Sequence, residues 1–337
     1  MFGKTSTKDV IASVVSHKFN VLKTEGNLNN HIGLPFTLLK LKNHTAVVVE
    51  MGMNHFGEIS LLTNIAKPTV CVITNIGTAH IGNLGSRENI LKAKLEILEG
   101  LKEDGVVIVN NDNDLLHNWA IQNSKYYDIY TYGIENKSNY NATNIKEGNT
   151  TTYCINNEPA ENLIAGEHFI YNALSAYAVG DILGIDKNKI TQGIKSFKLT
   201  SKRMDVLKIK NDIKVVNDSY NASFDSMKAS LETMKKENRR KIAVLGNMLE
   251  LGEFSKELHS KVGDEVVKNN IDILITVGEY AKHIANRAKS LGMDNILEFD
   301  DIENASRYLK GIMKDGDVIL LKASNSMNFS KILDYIK

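Results

Sequence analysis

Gly3-Lys4-Thr5-Ser6 sets a conformationally free residue, a cation and two hydroxyls directly ahead of a stretch with helical spacing, Val10, Ile11, Val14 and Val15. This is the back half of the phosphate-binding pattern G-x-x-x-x-G-K-[ST]. There, backbone N–H groups and a lysine meet phosphate oxygens and the following hydroxyl ligates Mg²⁺. Further along, Glu50 closes the apolar run Ala46-Val47-Val48-Val49. A carboxylate at the C-terminal end of a buried parallel strand can hold Mg²⁺, directly or through water. His80 follows the run Val70-Cys71-Val72-Ile73-Thr74-Asn75 on a glycine-containing loop, where an imidazole can reach a metal or a phosphate. Asn27, Asn29 and Asn30 crowd donors and acceptors onto one polar loop suited to reading a polar ligand. Taken singly, a histidine on a loop, a strand-end glutamate and Lys94 on a helix would be structural or solvated groups.

These residues need a scaffold, and the chain is long enough to supply one. Its 337 residues predict two domains, and 41 basic against 40 acidic side chains argue against nucleic acid or a membrane surface as the main partner. No apolar run approaches ~18 residues and no leader pattern opens the chain, so a cytoplasmic protein that does not span a membrane is expected. Cys71 and Cys154 are too few for a disulfide framework.

The apolar runs at 46–50, 70–75 and 106–109 predict buried parallel strands. Helical spacing is expected from Lys8 to Ser16, after Gly33-Leu34-Pro35, over Arg87–Leu101, His168–Leu183 and Lys187–Ser196. Short alternating stretches between Asn139 and Ile164 predict a small antiparallel appendage. After a polar stretch at 197–202, runs at 213–217, 241–246, 273–277 and 318–321 alternate with helical stretches near 225–236, 255–268, 279–291 and 301–314. That alternation predicts a second parallel sheet of doubly wound type.

In order along the chain, several strings resemble the ATP-dependent Mur ligases of peptidoglycan synthesis. They are Gly3-Lys4-Thr5-Ser6, Gly26-Asn27-Leu28-Asn29-Asn30, Glu50-Met51-Gly52, His80 with Gly85-Ser86, Ala93-Lys94-Leu95-Glu96-Ile97, Asn172-Ala173-Leu174, Asp218-Ser219-Tyr220-Asn221-Ala222 and Leu245-Gly246-Asn247-Met248-Leu249-Glu250. The Asn-Leu-Asn-Asn and Asp-Ser-Tyr-Asn-Ala strings resemble the branch that adds D-Ala-D-Ala. The resemblance implies a P-loop ATPase-type central domain over residues 1–199, with a mainly parallel sheet and the antiparallel appendage. A Rossmann-like doubly wound C-terminal domain would follow over 200–337.

The resemblance also implies a reaction, in which ATP phosphorylates the terminal carboxylate of a UDP-N-acetylmuramoyl-tripeptide and the amine of D-Ala-D-Ala attacks the acyl phosphate. Gly3, Lys4, Thr5, Ser6, Asn75, Asn110, Asn172, Arg203 and Asp218 would contact ATP. Thr5, Glu50, His80 and Lys94, the last as a carbamate, would serve two Mg²⁺ ions. Asn27, Asn29, Asn30, Ser219, Tyr220, Asn221, Lys322 and Ser324 would face the substrates. A monomer is expected. A folylpolyglutamate synthase-like relative and a chain that has lost its activity remain alternatives.

The pattern departs from the family at Phe169, where an asparagine is usual, and at Lys322-Ala323-Ser324-Asn325, where Lys-Gly-Ser-Arg is usual. The family's N-terminal domain, the strand feeding the loop and the first loop glycine would all lie before Met1, so the chain is expected to be truncated. Without that strand a central position of the first sheet would stand empty, leaving unpaired backbone groups and an apolar slot.

Overall fold

The computed structural model describes residues 3–148, 150–163, 166–197 and 205–337. The expected boundary at 199/200 and Arg203 lie outside these residues. The chain divides into two compact units, one of Phe2–Gly77 with Leu84–Lys198, the other of Thr78–Asn83 with Leu199–Lys337.

The first unit opens with α1 (Lys4–Val15), β1 (Val21–Lys23), α2 (Gly33–Leu38), β2 (Ala46–Val48), α3 (Glu58–Ala66) and β3 (Val70–Ile73). Helix α1 is buried nearly all round, its polar residues Thr5, Ser6, Thr7, Lys8 and Asp9 included. Lys8 therefore needs partners, and it finds the Thr24 carbonyl at 2.6 Å and Asp9 at 3.0 Å, with Lys23 also on Asp9 at 2.7 Å. Past α4 (Ile81–Leu84), which begins in the other unit, come α5 (Arg87–Leu95), β4 (Val106–Asn110), α6 (Asp114–Asn123) and β5 (Asp128–Gly133). The helix expected to reach Leu101 ends at Leu95 and tightens into a 3₁₀ turn over Glu96–Gly100. Then follow β6 (Tyr140–Glu147), β7 (Thr151–Ile155), β8 (Glu158–Asn162), α7 (Glu167–Ile182) and α8 (Lys187–Ser196), the two helices packing on α1.

Strands β3 to β6 pair in parallel, and β6-β7-β8 pair antiparallel, as the alternating pattern predicts. Strands β1 and β2 pair in parallel with one another but with nothing else among the described residues. Among the described residues the sheet is thus broken between β2 and β3.

The second unit contains β9 (Asp205–Ile209), β10 (Ile213–Asn217), α9 (Phe224–Lys235), β11 (Lys241–Gly246), α10 (Ser255–Lys268) and β12 (Ile273–Val277). It continues with α11 (Lys282–Ser290), β13 (Ile296–Phe299), α12 (Ile302–Ile312), β14 (Val318–Lys322) and α13 (Ile332–Ile336). Its sheet runs β13-β12-β11-β14-β10-β9 without a break. Every residue of β11 and β14 is buried, which is why both read as continuous apolar runs. The sheet is parallel except at β9, an antiparallel edge strand that the polar Asp205-Val206-Leu207-Lys208 pattern hid.

Candidate active site

Helix α1 starts at Lys4 because Gly3 sits at φ 128°, a conformation that side chains with a Cβ disfavour. Gly3 supplies no side-chain cap to this helix end, and the N–H groups of a helix's first turn are donors of the kind that bind phosphate. A Cβ at Gly3 would lie 3.0 Å from Thr74 Oγ1, so this helix end stands at the C-terminal end of β3. Thr5 and Ser6 are buried there.

Glu50, two residues past β2, is buried and held from two directions. Its N–H donates to Thr24 Oγ1 at 3.0 Å, and Asn29 Nδ2 donates to its Oε1 at 2.7 Å. Its Oε2 is buried with no hydrogen-bond partner among the described residues. A buried carboxylate oxygen without a donor is costly for a protein group and is what a cation would satisfy. Gly52 makes the arrangement feasible, since a Cβ there would lie 2.9 Å from Asn29 Oδ1. Asn30 caps the entry to α2 instead, its Oδ1 accepting from Ile32 N at 3.1 Å and Gly33 N at 2.9 Å. For Asn27, the hydrogen bond seen is through the backbone, its carbonyl accepting from Asn29 N.

Lys94 lies in the last turn of α5 and donates to the Asn75 carbonyl. The Asn75 side chain accepts from Asn113 Nδ2 at 2.9 Å, and Asn113 also N-caps α6 through Leu116 N. Arg87 clamps the same segment, donating to Ile76 O at 2.9 Å and forking onto Asp114. Asn113, Thr24 and Arg87 thus brace the candidates. Asn113 and Arg87 carried a sequence signal, as cap and first-turn residues of helices, but nothing tied them to a site. Lys4, Glu50 and Lys94 all line one cavity of about 720 Å³ within this unit.

Asn110 ends β4 and accepts from Asp112 N at 3.0 Å. Asn172, on α7, accepts from Thr7 Oγ1 at 2.9 Å and so ties that helix to α1. Asp112 receives N–H groups of Ile134, Asn136 and Glu135 and the Tyr171 hydroxyl. Burial alone would raise its carboxyl, but these donors outweigh it and hold it below the usual carboxylate range. Burial pushes the Cys71 thiol up to about 12, leaving it chemically quiet.

In the second unit, His80 takes a left-handed backbone at φ 66°, and its Nδ1 lies 2.6 Å from Glu250 Oε2. That contact holds the Glu250 carboxyl below its ordinary value against the opposing effect of burial. His80 Nε2 is buried without a hydrogen-bond partner among the described residues. Asp218 and Lys322, expected at ligands, meet one another. Lys322 is 1 % exposed and donates to Asp218 Oδ2 and, at 3.2 Å, to Asn221 O; Ser230 Oγ adds a bond to the same carboxylate at 2.7 Å. Ser219 Oγ donates to Asn217 Oδ1 at 2.6 Å, Asn221 Oδ1 accepts from Ala222 N, and Tyr220 is half-buried.

Ser324 Oγ accepts from Leu249 N at 2.9 Å, and His259, missed in the sequence, accepts from Met248 N at 2.9 Å. Together they fix the loop after β11. Burial drives the His259 imidazole down to about 4, so it is neutral and able to accept. Among the described residues no three His, Cys, Asp or Glu side chains cluster as a metal site.

Comparison with known proteins gives these positions a context. The Mur ligase middle domain matches residues 2–180, and the Mur ligase glutamate ligase domain matches 202–325. The UDP-N-acetylmuramoyl-tripeptide–D-alanyl-D-alanine ligase of Bacillus subtilis (strain 168) is 38% identical over 98% of this chain and 73% of its own length. The Escherichia coli (strain K12) ligase of the same name is 32% identical over 98% of this chain and 74% of its own. A crystal structure of MurF from Acinetobacter baumannii matches with TM-score 0.92 at 28% identity, covering 99% of this chain and 74% of that one. MurF of Thermotoga maritima in complex with ADP matches with TM-score 0.87 at 28% identity, covering 99% and 77%. Two family domains in order, with whole-chain similarity above 30%, establish that this chain belongs to the Mur ligase family.

Proposed function

We propose that this chain joins D-alanyl-D-alanine to a UDP-N-acetylmuramoyl-tripeptide with hydrolysis of ATP to ADP and phosphate, in peptidoglycan precursor synthesis in the cytoplasm. The γ-phosphoryl group passes to the peptide's terminal carboxylate, the dipeptide amine attacks the acyl carbon, and phosphate leaves as the amide forms. Phosphoryl transfer of this kind depends mainly on positioning and charge neutralisation. Lys4 and the α1 amides neutralise the transferring phosphates, while Asn75, Asn110 and Asn172 contact the nucleotide.

The residues at the α1 end suit Mg²⁺, because the buried Glu50 Oε2 lacks a donor among the described residues. Thr5, Glu50 and Lys94 would hold it, and when bound it spreads the charge of the phosphates. Asn29 orients the Glu50 carboxylate. Carbamylation would turn Lys94 from cation to anion, for which the amine must first lose its proton and leave the Asn75 carbonyl. We assign two ions, and a metal-facing role to His80 Nε2. The second unit, taken as a domain over 200–337, presents Ser219, Tyr220 and Asn221 to the peptide substrates, and the enzyme works as a monomer.

The observation that carries this reading is that Lys4, Glu50 and Lys94, scattered in sequence, line one cavity. The test is ADP formation with Mg²⁺, ATP and the UDP-muramoyl-tripeptide. ADP release that requires D-Ala-D-Ala is expected. Release supported equally by a single amino acid, or independent of any amine, overturns it.

A further inference from the structure

His80 is held within the second unit, and the way it is held decides what its ring can do. The segment Thr78–Asn83 belongs to that unit together with Leu199–Lys337. Its start is tied to a rigid element. Thr78 N and Oγ1 donate to Asp225 Oδ2 at 2.9 and 3.0 Å, and Asp225 sits in the first turn of α9, which a Ser223–Ser226 capping box fixes. Its end packs backbone on backbone. Gly82 N donates to Glu250 O at 3.1 Å, and a Cβ on Gly82 would lie 2.5 Å from Gly252 N. Only glycine allows that approach.

Between these ties two residues that carry side chains take left-handed backbone, His80 at φ 66° and Glu250 at φ 64°. Such conformations are costly outside glycine and persist where the surroundings impose them. Here they bring an imidazole against a carboxylate, with His80 Nδ1 2.6 Å from Glu250 Oε2. The Glu250 side chain is half exposed, so burial does not force it into this pairing. Beyond this contact neither nitrogen of the His80 ring has a hydrogen-bond partner among the described residues, and both are buried.

A carboxylate can only accept, so a ring nitrogen 2.6 Å from it must carry the hydrogen. In a neutral imidazole that leaves Nε2 with the lone pair. Nε2 then cannot donate to a phosphate oxygen and is suited to a cation. Histidines that bind metals keep this arrangement, with the other ring N–H given to a carboxylate. We infer that Glu250 is a positioning residue, which fixes the His80 ring in its Nδ1–H tautomer and so presents Nε2 as a ligand. This rests on the metal-facing role proposed for His80. It requires no contact between Glu250 and any substrate.

The test reads the tautomer first, by NMR on the full 337-residue chain labelled with ¹⁵N-histidine. Metal and nucleotide are left out, and the pH is about 8, where an ordinary imidazole is neutral. His80, assigned by the signal lost in His80→Gln, is expected to carry its hydrogen on Nδ1. Glu250→Ala should turn the ring to the Nε2–H form or a mixture. Glu250→Gln, whose side-chain carbonyl also accepts, should keep Nδ1–H. In the ADP-release assay Glu250→Ala should lower kcat about tenfold or more and raise the Mg²⁺ requirement, with KM for ATP and the tripeptide within about twofold. Glu250→Gln should recover most of that kcat. A wild-type ring with its hydrogen on Nε2, a tautomer unchanged in Glu250→Ala, or a changed tautomer with kcat unaltered overturns the inference. The tautomer is read without turnover, so a wild-type chain that releases no ADP counts against the proposed reaction, and the ring signal still decides the pairing.

Discussion

Both units are assembled from alternating strands and helices, yet they treat polar groups at their strand ends differently. In the second unit the sheet is continuous from β13 to β9, and the charges at its strand ends answer one another. Lys322 at the end of β14 meets Asp218 just past β10, with Ser230 and the Asn221 carbonyl completing the set. In the first unit the sheet breaks between β2 and β3, and Glu50 just past β2 has one oxygen satisfied by Asn29 and one by nothing among the described residues. The same position in a parallel α/β sheet, the C-terminal end of a strand, therefore serves stability in one unit and leaves a buried carboxylate oxygen without a donor among the described residues in the other. What separates them is whether the protein itself supplies the partner.

Breaking the satisfied pair should have the largest effect. Lys322→Ala leaves the Asp218 carboxylate buried without its ammonium and should destabilise the second unit by about 3–5 kcal/mol in urea unfolding. The double variant Asp218→Leu with Lys322→Met should recover most of that loss; if it does not, the pair is doing more than satisfying itself.

The next effect is pH-dependent and belongs to the same unit. His259 is held near 4 by burial, below its ordinary 6.5. Between these values the unfolded chain takes up a proton that the folded chain refuses, so stability rises with pH across that window and is lost as pH falls from 6.5 to 4. The loss attributable to His259 is about 3 kcal/mol. Comparing unfolding free energies at pH 7 and pH 4.5 for the wild type and His259→Gln should show a flatter dependence in the variant.

Glu50→Gln sharpens the contrast from the other side. It should reduce the rate of D-Ala-D-Ala-dependent ADP release by about 100-fold or more, equivalent to about 2.7 kcal/mol. Its melting temperature should barely change, because no protein donor is lost at Oε2. A large drop in stability with little change in rate would make Glu50 a structural residue like Asp218. Asn29→Ala should give the smallest effect, about a tenfold loss of rate as the carboxylate loses its orientation, measured in the same assay and with the Mg²⁺ requirement shifted upward.

Much of this was legible in the residues. The run at 241–246 is a strand whose every residue is buried, a local signature, whereas the predicted strands at 46–48 and 70–73 form but are only partly buried, fully so at alternate positions of 70–73 and with Val47 38% exposed. Helices α8 and α10 fall on the predicted residues because their apolar spacing is local too, and Asp186 caps the start of α8. Strand β9 was not legible: an edge strand with alternating polar residues carries little signal until β10 lies beside it. Nor was His259, whose role depends on a loop 11 residues away turning its Met248 N–H back onto the ring.

The candidate site divides the same way. Residue type and order raised Lys4, Glu50 and the loop asparagines as candidates, since the phosphate and metal chemistry they suit is a property of the side chains and their place in the pattern, while Lys94 was raised by the family resemblance alone. Only the tertiary structure decided which polar groups are already satisfied. It bonded Asn29 to Glu50 and Asn30 to the start of α2, joined Lys322 to Asp218 within the second unit, and left Glu50 Oε2 without a donor among the described residues. The reason is physical: a side chain's identity fixes what it can bond, but a hydrogen bond reaches about 3 Å, and only folding sets which groups come within that distance.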